Sequence, residues 1–183
     1  MTRATSTLAA LAMGAAVMAS AQEAPFGAED DIDYAAQLWE AMADAGLVGD
    51  GAVLAAPYEG VEPHGLMLET FYTTTEIDGH EGALVVKRNY GPAGVTADEV
   101  LADPAGHLAA VTVMFQREEG YDAETRDWFY AKYLPDGTLD RNPKDMALAG
   151  LVGKNADAGC IACHAGAAPD YLFTTDAMLP GMR

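Results

Sequence analysis

The sequence predicts an α+β fold in a single domain over residues 22–183: a predominantly antiparallel β-sheet with flanking helices. Three observations predict it. Four runs rich in β-branched and aromatic residues are spaced along the chain. Strong turn signals separate them, namely Asp78-Gly79, Gly91-Pro92 and Pro135-Asp136-Gly137. Helical patterns flank the strand runs without the strand–helix–strand alternation of a parallel sheet.

The elements follow in order. Tyr34, Leu38 and Met42 recur every four residues, with Ala35 and Trp39 beside them, so a helix is expected to about Ala45. Asp31 or Asp33 can cap it and Gly46 can stop it. Leu66 to Thr75 reads as a first strand, Asp78 to Gly82 as a turn cluster, and Ala83 to Tyr90 as a second strand. Thr96-Ala97-Asp98-Glu99 is a capping-box pattern that opens a short helix ended by Pro104. Ala109 to Gln116 reads as a third strand, with Val111, Val113 and Phe115 on one face, and Trp128 to Tyr133 as a fourth. Asn142-Pro143 can begin another helix, with proline at its first position.

Half of the 183 residues are hydrophobic and 21% are charged, which suits a packed core and not a disordered chain. The 28 Asp and Glu outnumber the 10 Lys and Arg, for a net charge of -18. Nucleic acid and anionic membrane surfaces are thereby excluded as partners. Residues 1–21 read as a secretory signal peptide. Arg3 supplies the positive end, Leu8 to Met18 is apolar, and Ala19-Ser20-Ala21 fits the cleavage pattern. The apolar run is too short for a hydrocarbon core of roughly 30 Å, so export to the periplasm without membrane insertion is expected.

The chemistry sits in Cys160-Ile161-Ala162-Cys163-His164, the C-x-x-C-H pattern of c-type haem attachment. On a helical turn, residues i, i+3 and i+4 share a face, so both sulfurs and the imidazole can meet one macrocycle together. The expected cofactor is one haem c, bound through Cys160 and Cys163, with His164 as iron ligand. A thioredoxin-like motif would need a βαβ context, and a zinc site a fourth ligand. A simple disulfide leaves the adjacent His unexplained. The motif lies late in the chain. A sixth ligand from the protein must therefore come from upstream or be missing, and a missing one leaves the iron open to small molecules.

Several segments together resemble the cytochrome P460 family, which includes the β-sheet type of cytochrome c′. They are Pro63-His64-Gly65, Gly82 through Tyr90, Val113-Met114-Phe115 with Gly120-Tyr121, Asp127-Trp128-Phe129-Tyr130, and Cys160 through Phe173. The resemblance implies an antiparallel sheet with helices, usually a homodimer, with a proximal His at His164 and often an open distal side. It implies oxidation of hydroxylamine or a related small nitrogen species. Alternatively, it implies a non-enzymatic cytochrome that binds nitric oxide or carbon monoxide. A six-coordinate electron carrier is a third reading. A redox partner protein, possibly basic, would suit the acidic surface.

Lys87 carries the enzymatic reading. Catalytic members bond a lysine to a haem meso carbon, and Lys87 stands in the matching strand, so the resemblance makes it both catalytic and cofactor-binding. It shares a face with Ala83, Val85 and Asn89, while Leu84, Val86 and Arg88 take the other. Lys87 can instead face solvent or pair with a propionate. Arg88 can pair with a propionate or be a surface residue. His64 can be a distal ligand or a structural hydrogen-bond partner, and the latter, tied to backbone, is the expectation. Phe71 or a neighbour can wall the distal pocket. Asp157 is the nearest candidate for a distal carboxylate. Phe71, Phe115, Trp128 and Tyr130 are expected in the core or against haem, and His80 is expected at the surface.

Overall fold

The computed structural model describes residues 25–167 and 169–173. The signal-peptide reading lies outside the described residues. Helix α1 spans Glu29–Asp44 and buries Tyr34, Ala35, Leu38 and Met42. It starts earlier than expected, with Ala28 as N-cap. Asp31 sits in the first turn and accepts from the Ala28 amide at 3.3 Å, so it satisfies the helix start from inside it. Gly46 follows the helix with φ of +67°, the left-handed stop the sequence signalled.

Six strands form one antiparallel sheet in sequence order. They are β1 (Tyr58–Glu59), β2 (Met67–Ile77), β3 (His80–Tyr90), β4 (Leu108–Gln116), β5 (Trp128–Tyr133) and β6 (Ala149–Gly150). The two-residue strands β1 and β6 carry no alternation that a sequence could display. The Asp78–Gly82 cluster is tighter than expected: Asp78 and Gly79 alone turn the chain, both at positive φ, and β3 already begins at His80. Two positive φ angles give the turn whose twist matches that of paired strands.

Helix α2 (Ala97–Ala102) carries the expected capping box. The Thr96 hydroxyl accepts from the Glu99 amide, and the Glu99 carboxylate accepts from the Thr96 amide. Pro104 ends α2 but opens a further turn, α3 (Pro104–His107), where proline's missing N–H is harmless. No helix begins at Asn142-Pro143. Instead the Asn142 side chain accepts from the amides of Lys144 and Met146, closing a turn between bridged Arg141 and Ala147. A side chain that competes for backbone donors in this way favours turns over helices.

The sheet has two working faces. Leu84, Val86, Val111, Val113, Phe115, Phe129 and Tyr133 pack against α1 and form the main core. The opposite face presents Val85, Met114, Trp128 and Tyr130 to Val152 and Ile161 near the C-terminal motif. Register ties this second face together: Lys87 pairs with Thr70 of β2 and Thr112 of β4, and Thr112 pairs with Lys132 of β5.

Candidate haem site

Helix α4 (Cys160–His164) is a single turn, as the motif's spacing requires. Its N-cap, Gly159, has φ of +125°, and a Cβ there would lie 2.8 Å from the Gly153 Cα. Only glycine allows this close approach, and the Ile161 amide then bonds the Val152 carbonyl at 3.0 Å. Cys160 is half-buried, Cys163 is exposed, and both thiols are free. His164 is buried, and its Nδ1–H donates to the Tyr171 carbonyl at 2.6 Å. That bond fixes the tautomer and leaves Nε2 as the lone-pair nitrogen. The following segment is pinned in turn. Trp128 Nε1 donates to the Asp170 carbonyl at 3.0 Å, and the Tyr171 hydroxyl donates to the Glu124 carbonyl at 2.8 Å.

The second sheet face borders an open cavity over this helix. Its walls are Tyr72, Val85, Met114 and Tyr130 from the sheet, with Cys160, His164, Leu172 and Phe173 opposite. A second, larger space of about 380 Å³ adjoins it, lined by Tyr58, Val61, Pro63, Leu68 and Cys163. His64, Lys87, His164 and Phe173 border both. His64 comes from the loop between β1 and β2. Its partner is a side chain and not backbone: His64 Nδ1 lies 3.2 Å from the Thr112 hydroxyl.

Burial sets the electrostatics. It pushes the Lys87 ammonium below the ordinary lysine range, and the nearby Cys163 sulfur opposes that shift. Burial, aided by Lys87 and His164, pulls His64 down to about 3, so its imidazole is neutral. His164 is lowered too, chiefly by burial. The Cys160 thiol is pushed up to about 11 by burial, so it is protonated at neutral pH. The Tyr130 hydroxyl is buried and has no hydrogen-bond partner among the described residues.

These residues fit a haem. Two thiols and an imidazole project from one helical turn, apolar walls flank them, and an orphaned phenol and a desolvated amine face the same space. A family model described as Cytochrome P460 matches residues 66–174. The chain belongs to the cytochrome P460 family. Membership makes it a haem c cytochrome, the cofactor its motif announced. Among curated proteins and among solved structures, nothing matches.

Several expected site residues of this P460 cytochrome lie elsewhere. Arg88 points to the α1 face, buried, where it pairs with buried Glu69 at 3.2 Å and donates to the carbonyls of Leu47 and Val53. It is therefore neither a propionate partner nor a surface residue. Phe71 lies on that same face beneath the Arg88 guanidinium, so it does not wall the cavity; its neighbour Tyr72 does. Asp157 is exposed in the loop before α4 and does not border the cavity. His80 is half-buried, with Nε2 3.1 Å from the Gln116 carbonyl. Phe115 belongs to the α1 core, while Trp128 and Tyr130 belong to the haem-side cluster. The sequence reading missed Thr112, yet β-pairing puts it beside Lys87 and so on the same face.

Proposed function

We propose that this P460 cytochrome is an exported mono-haem protein that oxidises hydroxylamine, or a related small nitrogen species. The observation that carries the reading is Lys87. It projects from β3 into the space shared with His164 and Cys163, where burial favours its neutral, nucleophilic amine. Cys160 and Cys163 hold the haem through thioethers, each S–H adding across a vinyl group. His164 gives Nε2 to the iron, and the Tyr171 carbonyl holds that imidazole in place.

Bound haem supplies an iron that takes the substrate nitrogen and passes electrons on. The chain's own residues do the rest. Val85, Met114, Leu172 and Phe173 give the cavity an apolar lining. The unpartnered Tyr130 hydroxyl offers a hydrogen bond to the substrate's polar end. Lys87 would be the residue to hold the haem by a further bond from Nζ to a meso carbon, as in the family's catalytic members; an N–H and the meso C–H would be given up, with two protons and two electrons passing to a two-electron oxidant such as a peroxide. In the same reading the protein works in the periplasm as a homodimer. Its net charge of -18 favours encounter with a basic redox partner.

Peptide mass mapping of proteolysed holo-protein tests this directly. The expected product joins the Lys87 peptide to the haem carried by the Cys160–Cys163 peptide. Lys87→Ala is expected to keep its haem and lose hydroxylamine turnover. Release of Lys87 in an unmodified peptide overturns the reading.

A further inference from the structure

We infer that His64 is a sixth, displaceable ligand of the haem iron, closing the site at rest. The proposal rests on the haem reading above and concerns the side of the iron opposite His164. The ring centroids of His64 and His164 lie 6.1 Å apart, with planes 82° from parallel. Two imidazole nitrogens on opposite sides of one metal ion, each about 2 Å from it, put their ring centroids roughly 6 Å apart. The observed spacing matches a pair sharing a metal, and with His64 in that position a substrate would have to displace it.

Three further observations agree. In each ring Nδ1 is tied, His164 to the Tyr171 carbonyl and His64 to the Thr112 hydroxyl, and each Nε2 lacks a hydrogen bond among the described residues. Each Nε2 lone pair is thus available, and coordination to one metal ion would use both. The two open spaces meet at this pair, one bordered by Cys160 and the other by Cys163. A flat macrocycle tethered to both sulfurs can therefore extend to either side of the axis that the two rings define.

The anchoring differs between the two rings. His164 follows the attachment helix directly, and backbone holds its Nδ1. His64 sits on the loop joining β1 to β2, and its one hydrogen bond is to a side-chain hydroxyl. Loop residues with few bonds open at lower free energy than packed strands, so His64 is the ligand that yields. The larger space, lined by Val61 and Pro63 of the same loop, gives its ring somewhere to go. A small nitrogen ligand then takes the position that His64 vacates.

The spin state of purified ferric holo-protein, read by electron paramagnetic resonance and near-infrared magnetic circular dichroism, tests the inference. The expected spectrum is low-spin with a bis-imidazole signature. His64→Gly is expected to turn it high-spin, and added imidazole to restore the low-spin form. Cyanide should bind that variant about tenfold more tightly or better, since an internal ligand in place nine-tenths of the time weakens an external one by that factor. Thr112→Val keeps the imidazole but removes its support, and a mixed-spin spectrum is expected. If His64→Gly fails to fold, this second variant decides alone. A high-spin wild-type protein overturns the inference while leaving the haem reading intact. So does a low-spin spectrum with a thioether signature, which would assign the position to Met114. Absence of covalent haem in a pyridine haemochrome assay overturns both readings and is distinguishable from either result.

Discussion

The His164 imidazole donates through Nδ1 to the carbonyl of Tyr171, seven residues further along the chain, at 2.6 Å. The helical turn that presents the imidazole therefore depends on the segment after it. Trp128 on β5 pins that segment by donating to the Asp170 carbonyl. Trp128→Phe removes the donor and keeps most of the ring. It should lower stability by about 1 kcal/mol. It should also shift the iron–histidine stretching band in resonance Raman spectra, because the imidazole loses part of its orientation. An unshifted band would show that the 170–173 segment holds itself.

Gly159→Ala tests the close approach beneath α4. The residue has φ of +125°, and an added Cβ would meet Gly153 backbone. The expected result is destabilisation by roughly 1 kcal/mol or more and a lower yield of covalent haem per folded molecule. Thermal unfolding and the haemochrome assay measure the two effects separately.

Arg88→Met leaves the Glu69 carboxylate buried without its guanidinium. The expected loss is roughly 3–5 kcal/mol, read by denaturant unfolding. Glu69→Leu placed on top should recover much of it, since the pair lies inside the core. Haem content and optical spectrum of the folded fraction should not change, because Arg88 faces α1 and not the cavity. A spectral change would return Arg88 to the haem.

The Lys132–Asp140 pair gives a pH prediction. The Lys132 ammonium, 2.7 Å away, holds the Asp140 carboxyl below its ordinary value of 3.8. A carboxyl that is more acidic in the folded state adds stability above its unfolded value, and that stability disappears as pH falls through the folded value. Asp140→Asn should therefore flatten the acid limb of the stability curve below about pH 4 and shift the neutral plateau little. Urea midpoints measured across that range would show it.

Much of the fold was legible because its signals are local. The period-two runs gave β2 to β5 within one or two residues at most ends, and the C-x-x-C-H spacing gave α4. Face assignment also held: alternation along β3 put Lys87 with Val85 and Leu84 with Arg88. What failed depended on partners remote in sequence. Nothing near Arg88 announces that Glu69 lies beside it, and Phe71 shows no sign of which face it takes until β2 is paired. His64 lies in a loop whose path the neighbouring strands determine, so its hydroxyl partner on Thr112, 48 positions away, was out of reach. At Asn142-Pro143 a helix-start signal lost to the side chain's own grip on the backbone.

Because each of the six strands pairs with its neighbour in sequence, the sheet's backbone pairing involves no residue of the haem-attachment motif. Such a meander closes short loops early. The wall bearing Val85, Lys87, Thr112 and Tyr130 is thus paired strand to strand without the attachment turn, and what the C-terminal segment adds is the cover over its apolar face.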